Sequence, residues 1–223
     1  METGKLSLVA TPIGNLEDIT LRALRILKEC DFVLCEDTRV TGKLLSHYEI
    51  KKPMKRYDAH TSALAHDMIM TELSRGKHLA LVSDAGTPGI SDPGVLLIQA
   101  ARAAEVTIEV LPGPSAVTAA VSLAGIAGNQ FSFLGYIPHK KGRETFFKEL
   151  ADYDHSTVFF ESTHRILKTL ESLGTYYPDA TLYLGRELTK LYEEMLIGTP
   201  SELLTLLTED PQKQKGEFVV IKT

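Results

Sequence analysis

The residues best suited to chemistry stand together in Ser83-Asp84-Ala85-Gly86-Thr87-Pro88-Gly89-Ile90-Ser91-Asp92-Pro93-Gly94. Three glycines let a backbone approach a ligand closely, and two prolines fix the shape of the turn. Asp84 and Asp92 offer carboxylates to ligand hydroxyl or amino groups. The segment is long for a mere connection. It begins where the apolar run 79–82 stops, which is the pattern of a strand ending in a ligand loop. In open α/β sheets, ligands bind beyond the carboxyl ends of the strands.

Two shorter loops flank it. Ala10-Thr11-Pro12-Ile13-Gly14-Asn15 is neither a Gly-x-Gly-x-x-Gly dinucleotide fingerprint nor a phosphate loop, because no Gly-Lys-Ser/Thr follows. Pro112-Gly113-Pro114-Ser115-Ala116 puts Ser115 at a helix start, either as a cap or beside free N–H groups that attract electron-rich ligands. Glu36-Asp37-Thr38-Arg39 joins two acids, a hydroxyl and a guanidinium, suited to a polar substrate or to a helix cap with a surface pair. Phe159-Phe160-Glu161-Ser162-Thr163-His164-Arg165 repeats the theme of a strand running into polar groups, and Arg186-Glu187-Leu188-Thr189-Lys190 lies between two predicted strands. His139-Lys140-Lys141-Gly142-Arg143 is a small basic cluster, as is the stretch holding Arg39, Lys43, Lys51, Lys52, Lys55 and Arg56. There is no nucleophile elbow with a Ser-His-Asp order, no metal-ligand spacing and no evident Schiff-base lysine. Such a site holds and orients a ligand. Transfer from a pre-activated donor fits, because positioning supplies most of the rate.

The elements that must present these loops follow from the apolar pattern. Strands are predicted at 5–9, 32–35, 54–57, 79–82 and 106–111. Between them fall a helix capped by Thr20 with Leu21, Leu24 and Leu27 on its apolar face, and helices at 38–47, 62–75 and 93–104. The helix at 62–75 carries Leu64, Met68, Ile69 and Leu73 on one side, and Pro93 opens the next. Strict alternation predicts a parallel sheet covered on both faces, forming an N-terminal α/β domain over 1–112. Leu111-Pro112-Gly113-Pro114 marks a stiff boundary. Beyond it, a second α/β domain over 113–223 has helices at 115–123, 143–150, 163–173 and 202–207. Its strands fall at 131–137, 157–160, 181–184, 192–197 and 217–221. Some strands follow one another directly, so this sheet is expected to be mixed.

With 223 residues, 43% hydrophobic and 24% charged, the chain is long enough for a sizeable core. The net charge of −5, without a basic half, counts against a simple electrostatic nucleic-acid binder. Cys30 and Cys35 form neither a disulfide framework nor a zinc knuckle. No apolar run reaches a membrane span and no secretory signal is read at the start, so a cytoplasmic location is expected.

Taken together, Leu8-Val9-Ala10-Thr11-Pro12-Ile13-Gly14-Asn15-Leu16-Glu17-Asp18-Ile19-Thr20, Cys35-Glu36-Asp37-Thr38-Arg39, residues 82–94 and Leu111-Pro112-Gly113-Pro114-Ser115-Ala116 closely resemble the 16S ribosomal RNA 2′-O-ribose cytidine methyltransferases, a family of the tetrapyrrole methylase superfamily. Phe160-Glu161-Ser162-Thr163-His164-Arg165 and Arg186-Glu187-Leu188-Thr189-Lys190-Leu191-Tyr192-Glu193-Glu194 extend the match. The resemblance implies two α/β domains with S-adenosylmethionine in the cleft between them, a homodimer, a role in rRNA processing, and 16S rRNA or the 30S subunit as partner, with no metal and no membrane. Where the wider superfamily carries Gly-Asp-Pro, this chain has Gly86-Thr87-Pro88, as expected of the RNA-directed branch. By position, the resemblance implies that Pro12, Gly86, Thr87, Ile90, Ser115, Ala116, Glu161, Leu188, Glu217 and Phe218 line the cofactor. The acceptor of the ribose hydroxyl proton is left among Asp37, Asp84, Asp92 and Glu187, while Arg39, Arg165, Arg186 and Lys190 are expected to hold the nucleotide. A flipped-out cytidine would stack on Tyr136 or Tyr57. Longer members carry a further C-terminal segment, which a chain ending at Thr223 is expected to lack. Two alternatives stay open: a methyltransferase of the same fold acting on a tetrapyrrole or another small molecule, and a non-catalytic S-adenosylmethionine-binding module.

Overall fold

A computed structural model of the chain describes residues 4–126 and 129–223; the predicted leader-free start at residues 1–3 lies outside them. The chain divides into two compact units, Met1–Ser115 and Ala116–Thr223.

In the first unit, β1 (Lys5–Val9), α1 (Leu21–Glu29), β2 (Phe32–Cys35), α2 (Thr38–His47), β3 (Met54–Arg56), α3 (Ala63–Ser74), β4 (His78–Val82), α4 (Val95–Ala103) and β5 (Thr107–Leu111) alternate as the sequence predicts. All strand pairs are parallel, in the order β3-β2-β4-β1-β5. The helices start where short polar side chains cap free N–H groups: Thr20 Oγ1 accepts from Ala23 N at 3.0 Å, Asp37 from Arg39 N at 2.8 Å and Ser62 from Ala65 N at 3.3 Å. One sheet face packs Val9, Val33, Ala80, Val82 and Leu111 against Ala23, Ile26, Leu27, Leu44 and Leu45 of α1 and α2. The other packs Leu6, Leu34, Leu79 and Leu81 against Ile69, Leu73, Leu97 and Ala101 of α3 and α4. The strand after which the chain crosses to one face (β1) therefore neighbours the strand after which it crosses to the other (β4), and such a switch point is where open α/β sheets take ligands. Cys30 and Cys35 lie fully buried in the α1/α2 side of this core. Burial pushes the Cys30 thiol up to about 11 and raises that of Cys35.

Two helical faces differ from the pattern reading. Leu21 is exposed; α1 buries the predicted Leu27 and packs Leu24 part-buried against the core, with Ala23 and Ile26 completing the face. On α3 only Ile69 and Leu73 are buried, while Leu64 (73% exposed) and Met68 (58%) face outward. Apolar spacing alone had merged a core stripe with a surface one. Pro93 also precedes α4 rather than opening it, the cap position being Gly94.

The second unit runs α5 (Ala116–Ala124), β6 (Phe131–Tyr136), α6 (Arg143–Glu149), β7 (Ser156–Ser162), α7 (Ile166–Tyr176), β8 (Leu182–Arg186), β9 (Glu194–Gly198), α8 (Pro200–Glu209) and β10 (Glu217–Lys222). Its sheet is mixed, in the order β6-β7-β10-β8-β9: β6 and β7 are parallel and the remaining pairs antiparallel. Phe147, Ile166, Leu170, Leu173, Leu203 and Leu207 from α6, α7 and α8 cover one face. A capping box between Thr199 and Glu202 starts α8. No helix among the described residues is long and apolar enough to cross a membrane.

Candidate functional site

At the carboxyl tips of β4, β1 and β5, three neighbours in the sheet, the glycine- and proline-containing loops touch. Thr11 and Gly86 exchange backbone hydrogen bonds, Thr11 N to Gly86 O at 2.9 Å and Gly86 N to Thr11 O at 3.0 Å. Thr11 Oγ1 donates to Ser83 O at 3.0 Å, and Ser83 Oγ to Gly86 O at 3.1 Å. Gly86 takes φ +88° in this bridge, a backbone region that glycine enters without strain. Gly113 lies so close to the first loop that a Cβ there would stand 2.9 Å from Ala10 Cβ. Two separate turns are thus stitched onto a third. Pro12, Gly86 and Pro88 are buried within it, Thr87 is half-buried and Ile90 is exposed. Ser115 closes this unit and Ala116 opens α5.

Over β3, β2 and β4 the same edge is acidic. Glu36 and Asp37 follow β2, Asp58 follows β3, Asp84 follows β4, and Asp92 stands before α4. Asp84 Oδ1 accepts from Asp37 N at 3.1 Å, which ties two of the loops together. Burial pushes Asp92 up to about 6, against a hydrogen bond from Ser83; Glu36 and Asp84 add repulsion. Burial likewise raises Glu36, with Asp84 and Asp58 adding to it. Asp37 behaves oppositely. Arg39 grips it through Nη2 at 2.6 Å and Nε at 3.0 Å, and holds its carboxyl well below the usual carboxylate range. Among the described residues no group of three or more His, Cys, Asp or Glu side chains is arranged to hold a metal ion.

The second unit gives its expected site residues internal partners. Glu161 is buried; its Oε1 accepts from Ser162 N (2.7 Å) and Arg165 Nε (2.9 Å), and its Oε2 from Thr169 Oγ1 (2.6 Å). Leu188 and Phe218 point into the core, so only their backbone is on offer to a ligand. Glu217 is exposed and paired with Lys190 at 2.8 Å. Glu187 sits at φ +49° in the turn after β8 and accepts from Lys190 Nζ (2.8 Å) and Glu217 N (3.0 Å). Burial favours its neutral form, but those hydrogen bonds outweigh it and lower its pKa. Arg186 donates to the carbonyls of Lys215, Gln212 and Tyr192 and to Glu194, so its guanidinium staples the β8–β9 turn to the segment before β10. Arg165 also donates to Ile137 O at 2.9 Å. Tyr57 is 5% exposed and bonded to His66 at 3.0 Å, which removes it as a stacking surface; its sequence neighbours gave no sign of this. Tyr136 is exposed. The sequence reading named Ser83 within the loop but gave it no role, whereas it links the loop to the Asp92 carboxylate; it missed Asp58, which enters the acidic edge through a weak edge strand.

The family model for tetrapyrrole (corrin/porphyrin) methylases matches residues 5–204. A Xylella fastidiosa protein named ribosomal RNA small subunit methyltransferase I is 44% identical over 220 residues, covering 98% of this chain and 81% of the relative. The protein of the same name from Thermotoga maritima is 42% identical over 218 residues, covering 98% of this chain and 97% of the relative. Among solved structures, a cobalt precorrin-4 methyltransferase of cobalamin biosynthesis superposes with TM-score 0.72 at 18% identity, over 97% of this chain and 94% of that one. A uroporphyrin-III-C-methyltransferase from Thermus thermophilus gives 0.65 at 20% identity, over 98% and 94%. At these identities the structural likeness speaks for the fold alone.

Proposed function

Because the chain belongs to the tetrapyrrole methylase family, and within it to the ribosomal RNA small subunit methyltransferase I family, we propose that it methylates the ribose 2′-hydroxyl of a cytidine in 16S ribosomal RNA from S-adenosylmethionine, as a cytoplasmic homodimer. The observation that carries this reading is the stitched edge of the first sheet, with its carboxylates over β3, β2 and β4.

The residues fit the donor. S-adenosylmethionine carries a sulfonium and an ammonium, and a site crowded with Glu36, Asp84 and Asp92 favours cations. Ile13 and Ile90 supply apolar contact for its carbon skeleton, and the Gly86 backbone permits close approach. Bound there, the donor supplies an electrophilic methyl group. The chain's own task is to hold the ribose oxygen at about 3 Å in line with it, and to take the hydroxyl proton as the new O–C bond forms. Among the candidate acceptors we favour Asp92, which stands on the same loop as Gly86 and Thr87 and whose carboxyl burial pushes up to about 6. Asp37, held low by Arg39, is a weak base, and Glu187 is engaged by Lys190 and the Glu217 amide. Asp84 orients Asp37 and the loop. Arg39 is paired with Asp37 yet 86% exposed at its side chain, and we assign it to a phosphate of the substrate. Arg165, Arg186 and Lys190 act by shaping the second unit.

The direct test is mass mapping of 16S rRNA from cells with and without this protein. The reading expects one ribose methyl on cytidine to vanish, and an unchanged methylation map would end it.

A further inference from the structure

Resting on the RNA reading above, we infer that the carboxyl ends of β6 and β7 form a docking surface for single-stranded RNA, with His139, Lys140 and Lys141 meeting phosphates and Tyr136 stacking a base. The inference starts from a displacement of roles. Arg165, Arg186 and Lys190 spend hydrogen bonds inside the unit, so phosphate contacts in this unit fall to other cations. His139, Lys140 and Lys141 are exposed on the loop that follows β6. The neighbouring turn after β7 brings exposed His164 to the same end of the sheet, because β6 and β7 run parallel.

The loop is built into the unit. Arg165 Nη1 ties its first residue, Ile137, through the carbonyl at 2.9 Å, while Arg165 Nε holds buried Glu161. At the other end of the loop Arg143 stands 3.7 Å from the same carboxylate and donates to Thr169 at 2.8 Å. One buried acid therefore anchors both ends of the cationic loop, and two arginines against it leave a surplus of positive charge. Of the other acids at this end, Glu144 pairs with Lys148 at 2.6 Å, while Glu187 and Glu217 share Lys190 on the far side of β10. On a chain of net charge −5 this is a local concentration of positive charge. Its edge carries the aromatic element. The Tyr136 ring lies 5.2 Å from Phe160, which lies 4.9 Å from Phe133, so an exposed ring is backed by two others. Cations beside an exposed, supported ring are the combination that holds unpaired bases, since every base has a face to stack. An acidic protein segment would have no use for the ring.

The test measures binding of the full chain to a short single-stranded oligoribonucleotide by fluorescence anisotropy across a salt series, with donor affinity followed by calorimetry. Neutralising two phosphate contacts in K140Q/K141Q should weaken binding about tenfold near 0.1 M salt and flatten the log–log salt slope by about 1.4. Tyr136→Leu should weaken binding with an unchanged slope, and both variants should bind S-adenosylmethionine as the parent does. If the parent binds the RNA and K140Q/K141Q keeps its affinity and slope, the surface is misassigned while the RNA reading stands. If polyglutamate of equal charge displaces the RNA from the parent at equal concentration, the surface serves an acidic protein segment and the inference falls. If the parent binds no RNA at any salt concentration, the RNA reading falls, and this inference with it.

Discussion

Asp92 concentrates the tension between folding and chemistry in one side chain. Its ordinary value of 3.8 rises to about 6 in the fold. A raised carboxyl favours the protonated folded state, so its support is complete below pH 3.8 and is lost as pH climbs through 6. Above that, ionised Asp92 opposes folding by about 3 kcal/mol at most, which partial solvent screening cuts to about 1–2 kcal/mol. Asp92→Asn should therefore raise the urea-unfolding free energy by that amount at pH 7.5, by about half as much at pH 5, and not at all below about pH 4. The same variant should lose about 100-fold in methyl transfer, the usual weight of a general base. A variant that is no more stable at pH 7.5, or that turns over as fast as the parent, would remove Asp92 from the role.

The element that matters most is the stitched set of turns after β1, β4 and β5. Gly113→Ala would press a methyl group to 2.9 Å from Ala10 Cβ, forcing the third loop off the first. Donor affinity by calorimetry should fall about tenfold, although Gly113 carries no functional group; undiminished affinity would mean the turns are not held as a unit. Much of this was legible beforehand. Thr20, Asp37 and Ser62 announced their helices because a cap is a local event, and β2 and β4 announced themselves as unbroken apolar runs. What stayed hidden was non-local. Nothing in the spacing of Leu64 and Leu73 says that one faces solvent and the other the sheet. Arg186 reads as a surface charge until β10 folds beside it and its donors close on Lys215, Gln212 and Tyr192. The Asp37–Asp84 contact spans 47 residues. Loops could be picked out one by one, but their meeting depends on the strand order β3-β2-β4-β1-β5, which the alternation of elements leaves open.

At the scale of the whole molecule, the outward faces of α3 and α4 carry Leu64, Met68, Val95 and Leu96, the last 72% exposed. Exposed apolar side chains on two helices that pack together mark an association surface, and they are where the proposed homodimer should close. Sedimentation at micromolar concentration should give a dimer for the parent and a monomer for Leu64→Glu combined with Leu96→Glu. A dimer that survives both changes would move the contact elsewhere. The division into two units has a further consequence through the thiols. Both cysteines belong to the first unit and none to the second, and each is sealed in the core with its acidity suppressed. Alkylating reagents attack the thiolate, so labelling must wait until that half opens. The rate of iodoacetamide uptake is thus a built-in clock for the breathing of one lobe, and S-adenosylmethionine should slow it in proportion to its occupancy.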